Sequence, residues 1–145
     1  MTERIALVTG GGSGIGREIS IGLAKAGRKV AVADLNLEGA SETVSLISEA
    51  EGSAIAVHMD VAATDAVQGG ILQILDELGT IEILVNCAGW DELMPFLSTD
   101  EHFWDQVIEI NYKGVLRTVH ACLPSMVESG WGRIVNIASD AGRVG

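Results

Sequence analysis

Thr9-Gly10-Gly11-Gly12-Ser13-Gly14-Ile15-Gly16 is the stretch that decides the fold of this 145-residue chain. Before it, Ile5-Ala6-Leu7-Val8 is a continuous apolar run, as expected of a strand buried on both faces of a parallel sheet. After it, Ile15, Ile19, Leu23 and Ala26 recur at helical spacing, and Gly27 supplies the stop. A glycine turn between strand and helix presents free backbone N–H groups and the positive end of the helix, where a pyrophosphate can sit. The spacing is T-G-x-x-x-G-x-G. It is not G-x-G-x-x-G, whose third glycine would fall on Ile15 or Arg17, and a Walker loop is excluded because no Lys follows the glycines. A chain needing only a tight turn would not carry three glycines here, since each loses backbone entropy on folding.

Outward from this unit the alternation repeats. Lys29 to Ala33 is a β-branched run ending in Asp34, and Leu37 to Ala50 reads as a helix capped by Asn36 and closed by Gly52. Ala54-Ile55-Ala56-Val57 is a third strand ending near Asp60, followed by a helical stripe through Val67, Ile71, Ile74, Leu75 and Leu78 to Gly79. Ile81 to Val85 is a fourth strand. Ser98 and Glu101 have capping-box spacing and open a helical stretch to about Ser129, with a break near Asn111, and Gly130 ends it. Arg133 to Ile137 is the fifth strand. Strands alternating with helices of this length need right-handed crossovers, so the fold expected is α/β: one domain with a doubly wound parallel sheet of Rossmann type.

Composition agrees and narrows the function. With 48% hydrophobic and 20% charged residues and only two prolines, the chain is globular and of single-domain size. A net charge of −11 argues against a nucleic-acid or anionic-membrane partner. Cys87 and Cys122 lack metal-ligand companions, and His58, His102 and His120 show no ligand spacing, so no metal site is expected. Cys122, on a helix, reads as a small buried hydrophobe. No stretch approaches the roughly 18 apolar residues of a membrane helix, and no signal peptide is seen, so a cytoplasmic, reducing setting is expected.

Asp34, at the end of strand two, is placed to accept hydrogen bonds from both hydroxyls of an adenosine ribose and to repel a 2′-phosphate, which favours NAD. Neither Ser13 nor Leu35, the positions where a cation would pair with that phosphate, is basic. Arg17, in the first helical turn, is free to point to solvent.

With these residues in place the chain resembles the N-terminal part of a short-chain dehydrogenase/reductase, from residue 5 to its last residue. Thr9 to Gly16 matches the family's glycine motif, with Thr9, Gly10, Gly12, Ser13, Gly14, Ile15 and Gly16 at the cofactor-binding positions and Asp34-Leu35 following. Asp60-Val61 resembles the adenine-contacting pair. Asn86-Cys87-Ala88-Gly89 resembles the family's Asn-Asn-Ala-Gly, with Asn86, Ala88 and Gly89 behind the cofactor; Cys87 removes one amide, which should alter how that loop is pinned without touching hydride chemistry. Asn111 matches the helix asparagine of the catalytic tetrad and Ser139 its serine. By that resemblance Ser139 hydrogen-bonds the substrate oxygen, while Asn111 holds a water linking a lysine to solvent.

The family's Tyr-x-x-x-Lys pair would lie beyond Gly145. Tyr112 is no substitute, because adjacent helical residues such as Tyr112 and Lys113 do not share a face. Reducing a ketone needs a proton donor, and tyrosine serves near neutral pH only when a cation lowers its pKa from about 10. The expectation is that residues 1–145 are the dinucleotide-binding part of a longer chain, inactive alone, since α/β domains commonly run to about 200–250 residues. The whole is expected to be an NAD-dependent oxidoreductase interconverting a secondary alcohol and a ketone. Gly89-Trp90-Asp91, Pro95-Phe96 and Ser139 to Gly145 resemble the branch that oxidises hydroxyacyl-CoA esters, 2-hydroxycyclohexanecarboxyl-CoA dehydrogenases among them, and Trp90 either lines the substrate pocket or covers the end of the sheet. Two other readings stand: an NADP-dependent 3-oxoacyl-carrier-protein reductase, and a non-catalytic dinucleotide-binding module. Val107, Ile110, Leu116, Val119, Leu123, Met126 and Val127 make the last long helix apolar on more than one face, which predicts a homo-oligomer, by family resemblance a tetramer, with Val119 outward.

Overall fold

Every side chain of β1 (Ile5–Thr9) is buried, which a five-residue strand achieves only with layers on both faces. A computed structural model describes residues 3–140. From β1 the chain runs through α1 (Gly14–Lys25), β2 (Lys29–Asp34), α2 (Leu37–Glu49), β3 (Ser53–His58), α3 (Thr64–Glu77), β4 (Ile81–Asn86), α4 (Glu101–Val107), α5 (Gly114–Glu128) and β5 (Arg133–Asn136). All strand pairings are parallel, in the order β3-β2-β1-β4-β5. The order reverses at β1, so the carboxyl ends of β1 and β4 open a crevice at the switch point, where doubly wound sheets bind ligands.

Period-two alternation divides the core. Leu7, Ala31, Ala33, Val57 and Leu84 join Val67, Ile71 and Ile74 of α3 and Cys122 and Met126 of α5 on one face. Val8, Val30, Val32 and Val85 join Ala24 of α1 and Ala40 and Ile47 of α2 on the other. β5 differs, because all four of its residues are exposed and it pairs with β4 alone among the described residues.

Several local expectations hold. Asn36 caps α2, its side chain accepting from the Gly39 N–H at 3.3 Å. Gly27, Gly79 and Gly130 take positive φ where helices stop. The break near Asn111 is a π-helical turn, Ile108–Lys113, joining α4 to α5. Other expectations are corrected. Ser98 does not cap the fourth helix: after Pro95 a 3-10 turn, Phe96–Ser98, intervenes, and the Asp100 carboxylate accepts from the Phe103 N–H at 2.9 Å instead. At the end of α2 the left-handed residue is Glu51, with φ 59°. Gly52 is needed for space, since a Cβ there would lie 2.7 Å from Ile47 Cγ2. Val119, expected outward, packs against the first core cluster, whereas Leu116, Leu123 and Val127 are exposed.

Candidate functional site

The glycines of the turn divide their work. A Cβ on Gly16 would stand 2.0 Å from the Gly10 carbonyl oxygen, and one on Gly10 would stand 2.8 Å from Ala88 Cα. These two glycines therefore let protein backbone pack on protein backbone. Gly14 has φ 50° and open space around it, so it is the glycine that leaves room for something else. The turn is pinned to β4 by Thr9, whose buried hydroxyl oxygen accepts the N–H groups of Cys87 and Ala88, each at 3.2 Å. Pinning thus uses backbone amides, and the substitution at Cys87 leaves it intact.

The start of α1 lacks a side-chain cap and has no acidic residue in its first turn, unlike α2 and α4. Its first amides have no intrahelical acceptor and the helix end keeps its positive partial charge. Arg17 does not point to solvent: its guanidinium donates to Gly12 O and Thr43 Oγ1 and pairs with Glu42, stapling the glycine turn to α2. Asp34 receives the Gly12 N–H on Oδ2 and the Asn36 N–H on Oδ1, each at 2.9 Å. A carboxylate has about four acceptor positions, so two remain for further donors.

These parts border one cleft of 920 Å³ at the switch point. Gly10, Ser13, Gly14, Ile15, Gly16, Asp34, Leu35, Asp60, Val61, Ala88, Gly89 and Trp90 all line it, as do Met59, Cys87, Gln106, Ile110 and Ile137, which the sequence reading did not assign to the site. No lining residue among those described is Lys or Arg. Thr9, Gly12 and Asn86 do not line it. Asn86 is buried, accepting from Thr118 Oγ1 at 2.6 Å and donating to Asn136 Oδ1 at 2.8 Å. Asp60 closes its own loop through the Ala62 N–H. Asn111, in the π turn, clamps Trp90 by its backbone, accepting the N–H at 2.8 Å and donating to the carbonyl at 2.7 Å. The Trp90 ring packs on Phe103 with centroids 5.5 Å apart. Ser139 follows β5 on the same edge of the sheet, and residues 141–145 lie outside the described residues.

The family profile described as short chain dehydrogenase matches residues 4–145. The chain belongs to the short-chain dehydrogenase family. It is 36% identical over 143 residues to the sorbitol dehydrogenase of Cereibacter sphaeroides, covering 98% of this chain and 55% of that one. It is 38% identical over 156 aligned positions to the (3R)-3-hydroxyacyl-CoA dehydrogenase of Canis lupus familiaris, covering 100% and 60%. Among solved structures, an actinorhodin polyketide ketoreductase with NADPH superposes with a TM-score of 0.94 at 35% identity, covering 99% of this chain and 56% of that one. The chain thus spans a little over half the length of these relatives.

In this short-chain dehydrogenase chain the residues missed from sequence fall into two kinds. Gln106 and Ile110 reach the cleft from one helical face, four positions apart, a signal that was available. Cys87 reaches it because Thr9 fixes its backbone, which no local pattern announces. Burial pushes the Cys87 thiol up, so it sits in the cleft as a neutral group. Among the described residues no helix is long and apolar enough to cross a membrane.

Proposed function

We propose that this chain is the dinucleotide-binding part of an NAD-dependent oxidoreductase that interconverts a secondary alcohol and a ketone, its substrate a hydroxyacyl or oxoacyl thioester. One observation carries the reading: an uncapped helix start beside the open side of Gly14 shares a cleft with Asp34, and among the described residues no Lys or Arg lines that cleft to meet a 2′-phosphate. In this reading the first amides of α1 hold the pyrophosphate, Asp34 takes the ribose hydroxyls, Asp60 and Val61 border the adenine, and Asn86 to Gly89 back it. The bound dinucleotide supplies the hydride acceptor or donor at its nicotinamide. Ser139 is assigned to hold the substrate oxygen, Asn111 to order the loop at Trp90 and a water behind it, and Trp90 to line the substrate pocket. The proton donor is assigned to a Tyr-x-x-x-Lys pair following Gly145, a proposal supported by the exposed faces of β5 and the share of each relative that is matched. The hydroxyacyl-CoA dehydrogenase among the relatives supports a thioester substrate. Exposed Leu116, Leu123 and Val127 support a homotetramer through α5, which Leu116→Glu should dissociate in light scattering. Two free thiols support a cytoplasmic setting.

The test is steady-state kinetics of the full-length protein with both cofactors. We expect kcat/KM at least about tenfold higher with NAD, and the gap to narrow in Asp34→Ser. The NADPH in the similar ketoreductase favours the competing reading of an NADP-dependent 3-oxoacyl-carrier-protein reductase, and a preference for NADP would remove the Asp34 argument. Binding without turnover of any alcohol or ketone would leave a non-catalytic module. Occupancy has its own readout, since NADH should slow alkylation of Cys87. Cys122, its thiol pushed up to about 12 by burial, should stay unlabelled in the folded protein throughout.

A further inference from the structure

One face of α5 ties together the ends of two strands. Gly114, Arg117 and Thr118 lie three and four positions apart, hence side by side. Thr118 serves Asn86 at the end of β4. Gly114 makes room for Val61 just beyond β3, since a Cβ there would lie 3.0 Å from Val61 Cγ2. Arg117 Nη1 donates to the Val61 carbonyl at 3.2 Å and to the Glu109 carbonyl at 3.1 Å, and Nη2 pairs with the Glu109 carboxylate. That same Glu109 carbonyl accepts the Gly114 N–H, the bond that makes the turn π-helical. A single guanidinium therefore fills the remaining acceptor position of the carbonyl that opens the π turn and grips the backbone of the loop at Val61. Lys113 also pairs with the Glu109 carboxylate but donates to neither carbonyl.

We infer that Arg117 is a positioning residue, a strut coupling the Asp60-Val61 side of the cleft to the π turn that carries Asn111. The inference rests on the proposed function for what the cleft holds, while the strut itself is a property of the fold. π turns persist where the surroundings over-determine them. Without the guanidinium the turn is free to fall back to α-helical spacing, which rotates Asn111 off Trp90 and frees Val61 together. Ligand seating beside Val61 and the order of the Trp90 loop become one event rather than two.

The experiment uses the full-length protein, comparing wild type, Arg117→Met and Lys113→Met. Hydrogen exchange without ligand reads residues 60–63, 89–91 and 108–114. AMP, the adenosine half of the dinucleotide, reads the Val61 side of the cleft. Arg117→Met should speed exchange in all three segments together and weaken AMP binding about tenfold, while Lys113→Met should change each by less than about twofold. If Arg117→Met does not fold, Arg117→Gln, which keeps one donor, is read the same way. Either unchanged exchange at residues 60–63 or AMP affinity within about twofold of wild type overturns the inference. A wild-type protein that binds no AMP instead overturns the cofactor reading, and the exchange pattern still judges the strut.

Discussion

Val8, Val30 and Val32, on β1 and β2, are fully buried, whereas Val135 on β5, paired in register with Val85, is 47% exposed. The strands are alike in composition, and they differ in what covers them. Around β1 and β2 both faces are closed by helices. Around β5 the pairing to β4 is made, along with the Asn86–Asn136 bond and the Ile137 N–H to Asn86 carbonyl bond, without a covering layer among the described residues. A buried parallel strand is thus written in its own residues, whereas its burial is written in others.

The contrast is easiest to break at the tightest point of the closed side. Gly16→Ala sets a Cβ against the Gly10 carbonyl, and we expect a loss of about 3 kcal/mol or more in denaturant unfolding, beyond an ordinary helix substitution. A variant within about 1 kcal/mol of wild type would show the turn to be yielding. Next, Val8→Ala should cost about 2 kcal/mol and Val135→Ala less than about 0.5 in a chain of these 145 residues. Equal losses would abolish the distinction, while a rise of the Val135 cost in the longer protein would identify the covering layer. Thr118→Val, at the boundary between the halves, leaves the buried Asn86 side-chain oxygen without its hydroxyl donor and should cost about 1–2 kcal/mol by thermal melting. The smallest effect is a gain. Gly69→Ala, within α3 where nothing lies within 4 Å of the new methyl, should add about 0.5–1 kcal/mol, and a loss there would mean that α3 is packed more closely than it is drawn.

Against these expectations the legible and illegible parts of the sequence separate cleanly. The strands, the order of helices and the cap at Asn36 depend on neighbours within a few residues, and local pattern recovers them. The residues around the cleft were legible because the glycine spacing, Asp34 and Asp60-Val61 each sit where a strand ends. The width of the turn at Asn111 was not, because the Glu109 carbonyl that takes its wide bond also receives a guanidinium held by the Val61 carbonyl, remote in sequence. Arg17 read as a solvent cation for the same reason: two of its partners, Glu42 and Thr43, come from α2, remote in sequence. Ser98 misled because capping-box spacing ignores Pro95, which starts a 3-10 turn, and Asp100, which sits nearer the helix with a stronger acceptor.

The oxygen of Thr9 has a mechanical part as well as a polar one. Holding two successive amides of the β4 loop, it welds that loop to the glycine turn, and the close fit of Gly10 on Ala88 removes the slack. The two walls so joined form one continuous, tightly fitted edge of the cleft. Slack on the β4 side of the cleft therefore begins at Gly89, where no such weld exists and the chain is held instead by the grip of Asn111 on the Trp90 backbone.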